Sequence, residues 1–230
     1  MNFLAHLYLS GPEPDVVVGN FIGDFVKGRE WTRRLRPDVA RGVRLHRAID
    51  AFTDRHPLVK QSQARLRPTY RHYASVIVDI YYDHYLAARW AEYSAEPLAV
   101  FADRAYRLLA SEDETLPERA RGMLPRMASA NWLLAYAEVE GIARALHGMS
   151  RRARPGSRLD QAARDLTAHY SAFEAEFRGF FPELQAFAAS WLQADRETPT
   201  ASGGQATSTS PSKATTTVPT SCVAESAGSR

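Results

Sequence analysis

The sequence predicts an all-α protein, a single helical bundle, on three observations. Apolar residues recur at spacings of three and four along most of the chain, with no sustained apolar–polar alternation. Prolines stand at the starts of these periodic stretches, at Pro37, Pro57, Pro97, Pro117 and Pro182, where a first helical turn tolerates them. With 230 residues and 45% hydrophobic content, the chain carries enough apolar surface for one such core.

The elements follow in order. Met1 to Leu7 is a short apolar stretch containing His6; it lacks a basic leader and does not read as a signal peptide. Val16, Val17 and Val18 lead into Phe21, Ile22, Phe25 and Val26 at helical spacing, with Asp15 as the expected N-cap and Gly28 as the expected stop. A second helix is predicted from Pro37 or Asp38 to about Asp54, its apolar side built from Val39, Val43, Leu45, Ile49 and Phe52. Pro57 opens a short helix that Pro68 should interrupt. The central helix, about Tyr70 to Tyr93, is apolar around much of its circumference and should be largely buried. Further helices are expected after Pro97 and Pro117, over about Asn131 to His147, Ser157 to Phe180 and Pro182 to Ala194, with Arg151 to Gly156 a basic loop.

From Glu197 the composition turns to Thr, Ser, Ala, Gly and Pro, which cannot bury enough surface to offset chain entropy. The expected organisation is one helical domain over 1–195 and a disordered tail over 196–230. The one cysteine, Cys222, falls in that tail, so no intrachain disulfide or multi-thiolate metal site can form. No run approaches the roughly 18 apolar residues of a membrane span. A reducing, cytoplasmic setting is the expectation.

The net charge of +3 conceals an uneven layout. Residues 27–72 hold 13 Lys/Arg against 4 acids, whereas residues 73–195 hold 13 against 17. Arginines dominate the basic segment, among them Arg29, Arg33, Arg34, Arg36, Arg41, Arg44, Arg47, Arg55, Arg65, Arg67 and Arg71. Such a surface attracts an acidic partner, and the arginine bias favours phosphate or carboxylate recognition.

Chemistry concentrates in two stretches. His46 and Asp50 are four apart, as are Asp79 and Asp83, so each pair shares a helix face; His84 follows Asp83 directly. Facing helices bearing such residues build divalent-metal sites. A carboxylate on the apolar central helix is costly unless paired or bound to a cation, which gives weight to Asp79 and Asp83. Asp24, set among apolar residues, wants either a metal or an arginine, and spacing does not choose between them. His6 is read as either a satisfied buried histidine or a ligand, Asn20 as able to orient a carboxylate or phosphate. Asp54, one turn past Asp50, is a candidate to support a ligand, and His56 a candidate helix cap. His72, His147 and His169 read as structural. No Gly-rich phosphate loop or nucleophile elbow is present.

The chain resembles the acyl carrier protein phosphodiesterase family. The likeness is carried by Met1 to Leu7, Gly19-Asn20 through Asp24 to Gly28, His46-Arg47-Ala48-Ile49-Asp50 with Thr53-Asp54, then Asp79, Asp83-His84, Leu86 and Trp90. Gly148-Met149, Arg158-Leu159 and Ala168 to Tyr170 through Phe177 extend it to about residue 192. Tyr8 stands where some members have a second histidine.

The resemblance implies an HD-phosphohydrolase-like bundle and a hydrolase that uses manganese, or another divalent metal such as Mg2+ or Fe2+. It implies removal of the 4′-phosphopantetheine arm from holo-acyl carrier protein, giving apo-protein, and so a role in fatty acid biosynthesis and lipid metabolism. On that basis His46, Asp50, Asp83 and His84, joined by His6 and Asp24, are expected to hold the metal. Arg47 is expected on the phosphate oxygens, and Asp79 or Asp54 to take a proton or hold a ligand histidine. The acidic carrier is expected on the basic 27–72 segment, with no nucleic acid as partner. Two other readings stand beside this one: an HD-type enzyme acting on a nucleotide or other small phosphodiester, and a non-catalytic basic helical binding module.

Overall fold

Pro14, Pro37 and Pro57 each occupy the first turn of a helix, where the missing N–H costs no intrahelical bond, while Pro97 and Pro117 sit just ahead of one. A computed structural model describes residues 1–28 and 33–197. Its helices are α1 (Phe3–Tyr8), α2 (Pro14–Ile22), α3 (Pro37–Arg55), α4 (Pro57–Tyr70), α5 (Ala74–Ala88), α6 (Leu98–Ser111), α7 (Glu118–Ser129), α8 (Trp132–Ala135), α9 (Val139–Ser150), α10 (Ala162–Ala168) and α11 (Tyr170–Glu197). Single 3-10 turns lie at Gly23–Phe25, Arg71–Tyr73, Trp90–Glu92 and Leu159–Gln161. The described residues contain no strand, so the all-α expectation holds. The expected tail, 196–230, lies almost wholly outside the described residues.

The core is organised around α5. Tyr81, Tyr82 and Tyr85 are fully buried against Phe173, Phe177, Phe180 and Phe181 of α11. Their rings meet edge-on as in Tyr81–Phe173 at 5.1 Å, tilted as in Tyr82–Phe180 at 5.5 Å, or stacked as in Tyr85–Phe177 at 5.8 Å. Helices α2 and α3 cross so closely that a Cβ at Gly19 would lie 2.0 Å from the Val39 carbonyl oxygen, and one at Gly42 would lie 2.2 Å from that of Val16. Only glycine at both positions permits this approach, which sets Asn20 and Asp24 beside His46.

Several boundaries differ from expectation. Asp15 lies inside α2, whose N-cap is Glu13. Pro68 does not interrupt α4; it falls in the last turn, where few intrahelical bonds depend on it. The helix instead ends at Arg71, which adopts a φ of 52°. The central helix is correspondingly shorter, Ala74–Ala88, with 3-10 turns on both sides. The stretch from Asn131 to His147 is two helices, and Ser157 to Phe180 is a 3-10 turn followed by α10 and part of α11. Pro182 opens no helix: α11 runs through it, because Phe180, Phe181 and Leu184 on either side are all fully buried and hold the axis. The apolar stretch Met1 to Leu7 carries no predicted element, and the structure makes Phe3–Tyr8 a helix that delivers His6.

Candidate metal centre

Three elements converge on one point: α1 with His6, the end of α2 with Asn20 and Asp24 in the turn after it, and α3 with His46 and Asp50. The His46–Asp50 pair behaves as its four-residue spacing requires, with Nε2 3.2 Å from Asp50 Oδ2. The same Nε2 is 3.3 Å from Asp24 Oδ1, and His6 Nε2 is 3.1 Å from Asp50 Oδ1. One ligand atom from each of His6, His46 and Asp50 lies within 4.8 Å of the other two. The imidazoles are stacked, 3.9 Å between centroids.

Asn20, with no exposed surface, sets the direction of both rings. Its side-chain carbonyl accepts from His6 Nδ1 at 2.9 Å, and its backbone carbonyl accepts from His46 Nδ1 at 2.8 Å. Its amide group donates to the His6 carbonyl at 2.8 Å and to Ser10 Oγ at 2.9 Å. With both Nδ1 atoms acting as donors, both Nε2 atoms present lone pairs to carboxylate oxygens. Acceptors so opposed need a proton or a cation between them. This is the donor set of a hard or borderline divalent ion, two imidazoles with carboxylates, each ring fixed through its other nitrogen. Gly23 makes room for it: a Cβ there would lie 2.2 Å from His46 Cγ.

The electrostatics agree. Burial disfavours a charged His46, but its hydrogen bonds to Asp24 and Asp50 outweigh that and lift its pKa to about 9. Burial and the charge of His46 lower His6 to about 4. Burial alone would raise the Asp50 carboxyl, yet the two imidazoles hold it far below the usual carboxylate range. The hydrogen bond from His46 likewise lowers Asp24. Left to its own side chains, the cluster keeps a proton on His46, where a bound cation would take its place. Asp24 and Asp50 are 64% and 38% exposed, so the cluster opens to solvent on their side.

Asp83 and His84, expected as ligands, are not brought to this cluster. Asp83 is fully buried and accepts the backbone N–H groups of Leu4 at 2.7 Å and Ala5 at 3.2 Å. It caps α1, whose own N-cap residue Asn2 makes no side-chain capping bond. Burial raises its pKa to about 7 against the pull of these donors. His84 donates from Nδ1 to the Tyr136 carbonyl at 2.8 Å, and its Nε2 accepts from the Tyr170 hydroxyl at 2.9 Å, so both ring nitrogens are occupied. Adjacent helical residues point about 100° apart, and here that separation sends Asp83 to α1 and His84 to α9 and α11.

Asp79 is not deeply buried; its side chain is 28% exposed, and Oδ1 lies 3.1 Å from the Met1 amino group, which is 3.6 Å from Asp50. Burial nonetheless raises the Asp79 pKa, against the attraction of that amine. Arg47 is exposed and donates to the carbonyls of Val26 at 3.2 Å and Gly28 at 3.4 Å, in the segment that follows Asp24. Asp54 is exposed and lines a groove beside α4. His56 caps the start of α4 by accepting from the Leu58 N–H at 3.3 Å. Tyr8 turns away, bonded to the Tyr93 carbonyl and Gln185. Asp83 as the cap of α1 and Ser10 as support for Asn20 had no signal in the sequence; Gly19 and Gly23, four apart before a conspicuous Asp, were a signal of close packing.

The acyl carrier protein phosphodiesterase family profile matches residues 1–184. The chain is similar to the acyl carrier protein phosphodiesterase of Enterobacter sp. (strain 638), 36% identical over 185 residues, covering 80% of this chain and 95% of that protein. It is 35% identical over 190 residues to the protein of that name from Salmonella agona (strain SL483), covering 82% and 98% respectively. No solved structure matches significantly.

Proposed function

The chain belongs to the acyl carrier protein phosphodiesterase family, and we propose that it hydrolyses the phosphodiester linking 4′-phosphopantetheine to a serine of holo-acyl carrier protein, using a divalent cation, manganese first among candidates. The work is assigned to a single HD-phosphohydrolase-like domain over residues 1–195, with 196–230 as an appended disordered tail. His6, His46, Asp50 and Asp24 hold the cation. The observation that carries this reading is the pair of Nε2 lone pairs aimed at the two oxygens of Asp50.

When bound, a divalent cation supplies Lewis-acid polarisation of the phosphate and acidifies water. The chain's own groups do the rest. Asn20 fixes both imidazoles in the tautomer that leaves Nε2 free. Arg47 holds the carbonyls that follow Asp24 and positions that carboxylate, rather than touching phosphate. Asp79, partly exposed at the edge of the cluster and with a raised pKa, accepts the proton of the attacking water. Water oxygen bonds to phosphorus, the bond to the serine oxygen breaks, and that oxygen takes a proton, giving apo-protein and free 4′-phosphopantetheine. The basic 27–72 segment receives the acidic carrier. Among the described residues no helix is long and apolar enough to cross a membrane.

The test is incubation of the full chain with holo-acyl carrier protein and manganese, read by intact mass. Loss of the phosphopantetheine mass, abolished by a chelator and in Asp50→Ala, is expected. A carrier of unchanged mass with manganese, magnesium and ferrous iron each supplied would defeat the proposal.

A further inference from the structure

Composition marks the whole 27–72 segment as basic, but folding neutralises much of it. Arg36 pairs with Asp15 at 2.6 Å and Glu112 at 2.7 Å. Arg41 pairs with Glu13 at 2.6 Å and Asp195 at 3.0 Å, and Arg44 reaches the same Asp195 at 3.2 Å. Arg65 is bound to the buried Glu176 at 2.7 Å. These arginines hold the bundle together and have little charge left for a partner. Arg29 lies outside the described residues.

Lys27, Arg33, Arg34, Arg47, Arg55, Lys60, Arg67 and Arg71 are exposed and, among the described residues, have no carboxylate partner; of these, Lys60, Arg67 and Arg71 gather around one groove. Lys60 and Arg67 are seven residues apart on one face of α4, about 10 Å along its axis, and Arg71 follows in the turn just past its end. With His72, Gln63 and Asp54 they line a groove of about 920 Å³. Asp54 is one turn along α3 from Asp50, so the groove's lining comes within one helical turn of the candidate metal centre.

We propose that this groove is the docking site for an acidic helix of the carrier protein, laid along α4 with its carboxylates opposite Lys60, Arg67 and Arg71. The spacing selects the occupant. A lone phosphate is held by cations that converge, whereas cations spread over two turns of α4 and the turn beyond it match carboxylates spread along a partner helix. Docking there places the carrier beside Asp54 and within reach of Asp50. The inference rests on the carrier being the substrate, and narrows its seat from a segment to one face of one helix.

The test separates the two claims by measuring binding without turnover. Fluorescently labelled holo-acyl carrier protein is titrated with the full chain in chelator, while arm release is read separately by intact mass in manganese. The variant K60E/R67E/R71E is compared with R119E/R144E/R164E, which changes net charge equally at exposed positions away from the groove. The groove variant should bind about tenfold or more weaker, with a shallower salt dependence, and the control within about twofold of the unmodified chain. Its hydrolysis of a small diester such as bis(p-nitrophenyl) phosphate should be unchanged. Unaltered carrier affinity in the groove variant, an equal loss in the control, or tighter binding of a labelled oligonucleotide through the same residues would overturn the docking site. Groove-dependent binding with no arm release would sustain the docking site and sink the proposed reaction instead.

Discussion

Replacing Asn20 by Ala isolates the residue on which the whole centre turns. Three side-chain hydrogen bonds disappear, to His6 Nδ1, to the His6 carbonyl and to Ser10 Oγ, all within a fully buried site. Each lost bond leaves a buried group unpaired at about 1–3 kcal/mol, and partial rearrangement leaves a total of about 3–5 kcal/mol. For a chain of this size that lowers the melting temperature by roughly 10 °C. The larger effect is on the metal. His6 loses the partner that fixes its tautomer, while His46, held by the Asn20 backbone carbonyl, does not. Manganese affinity should therefore fall about 10–100-fold, the usual range for removing a group that orients a ligand. Circular dichroism melts in chelator give the first quantity, and calorimetric manganese titration well below the melting point gives the second. A melting point within about 2 °C of the parent, together with unchanged manganese affinity, would refute the idea that Asn20 organises the centre.

Three further outcomes are expected. Without metal, His46 has a pKa raised to about 9, above its unfolded value of 6.5, so its stabilising charge is fully present below pH 6.5 and lost as pH rises through about 9. The melting temperature in chelator should fall across that window, while manganese affinity climbs over it with release of about one proton; parallel melting curves with and without manganese would contradict this. Gly23→Ala places a methyl group against the His46 ring and should weaken manganese binding by tenfold or more, whereas Gly28→Ala, with φ of 74° but open space around it, should cost about 1 kcal/mol of stability and leave the metal alone. Asp83→Asn and Asp24→Ala should split cleanly: the first lowers the melting temperature by loosening α1 with manganese affinity within about threefold, the second lowers affinity and turnover with little change in melting. The reverse pattern would return Asp83 to the ligand set and remove Asp24 from it.

The sequence carried the helical class, the helix starts at Pro37, Pro57, Pro97 and Pro117 though not the one expected at Pro182, and the single most important local fact, that His46 and Asp50 share a face. That pairing follows from helical geometry alone and needs nothing from the rest of the chain. Periodicity also located α5 as the buried centre, because apolar residues around a whole circumference have nowhere else to go. Residue patterning raised Asp24 and His6 as candidates alongside Asp83 and His84, the family resemblance grouped them into one ligand set, and neither gave a means of ranking them.

The tertiary structure separated these candidates in space. Which neighbour a helix face meets depends on how α1, α2 and α5 cross, and that depends on close contacts such as Gly19 on Val39 that no periodicity encodes. Those crossings brought His6 against His46 and Asp50, turned His84 to Tyr136 and Tyr170, and set Asp83 across 79 residues of sequence onto the open end of α1. The same holds for charge. The excess of arginine in 27–72 is fixed by composition, but which cations remain available is decided when distant acids such as Glu112, Glu176 and Asp195 close upon some of them. Local geometry is written in consecutive residues; ligation and charge availability are distances between residues far apart in the chain, and only packing sets those.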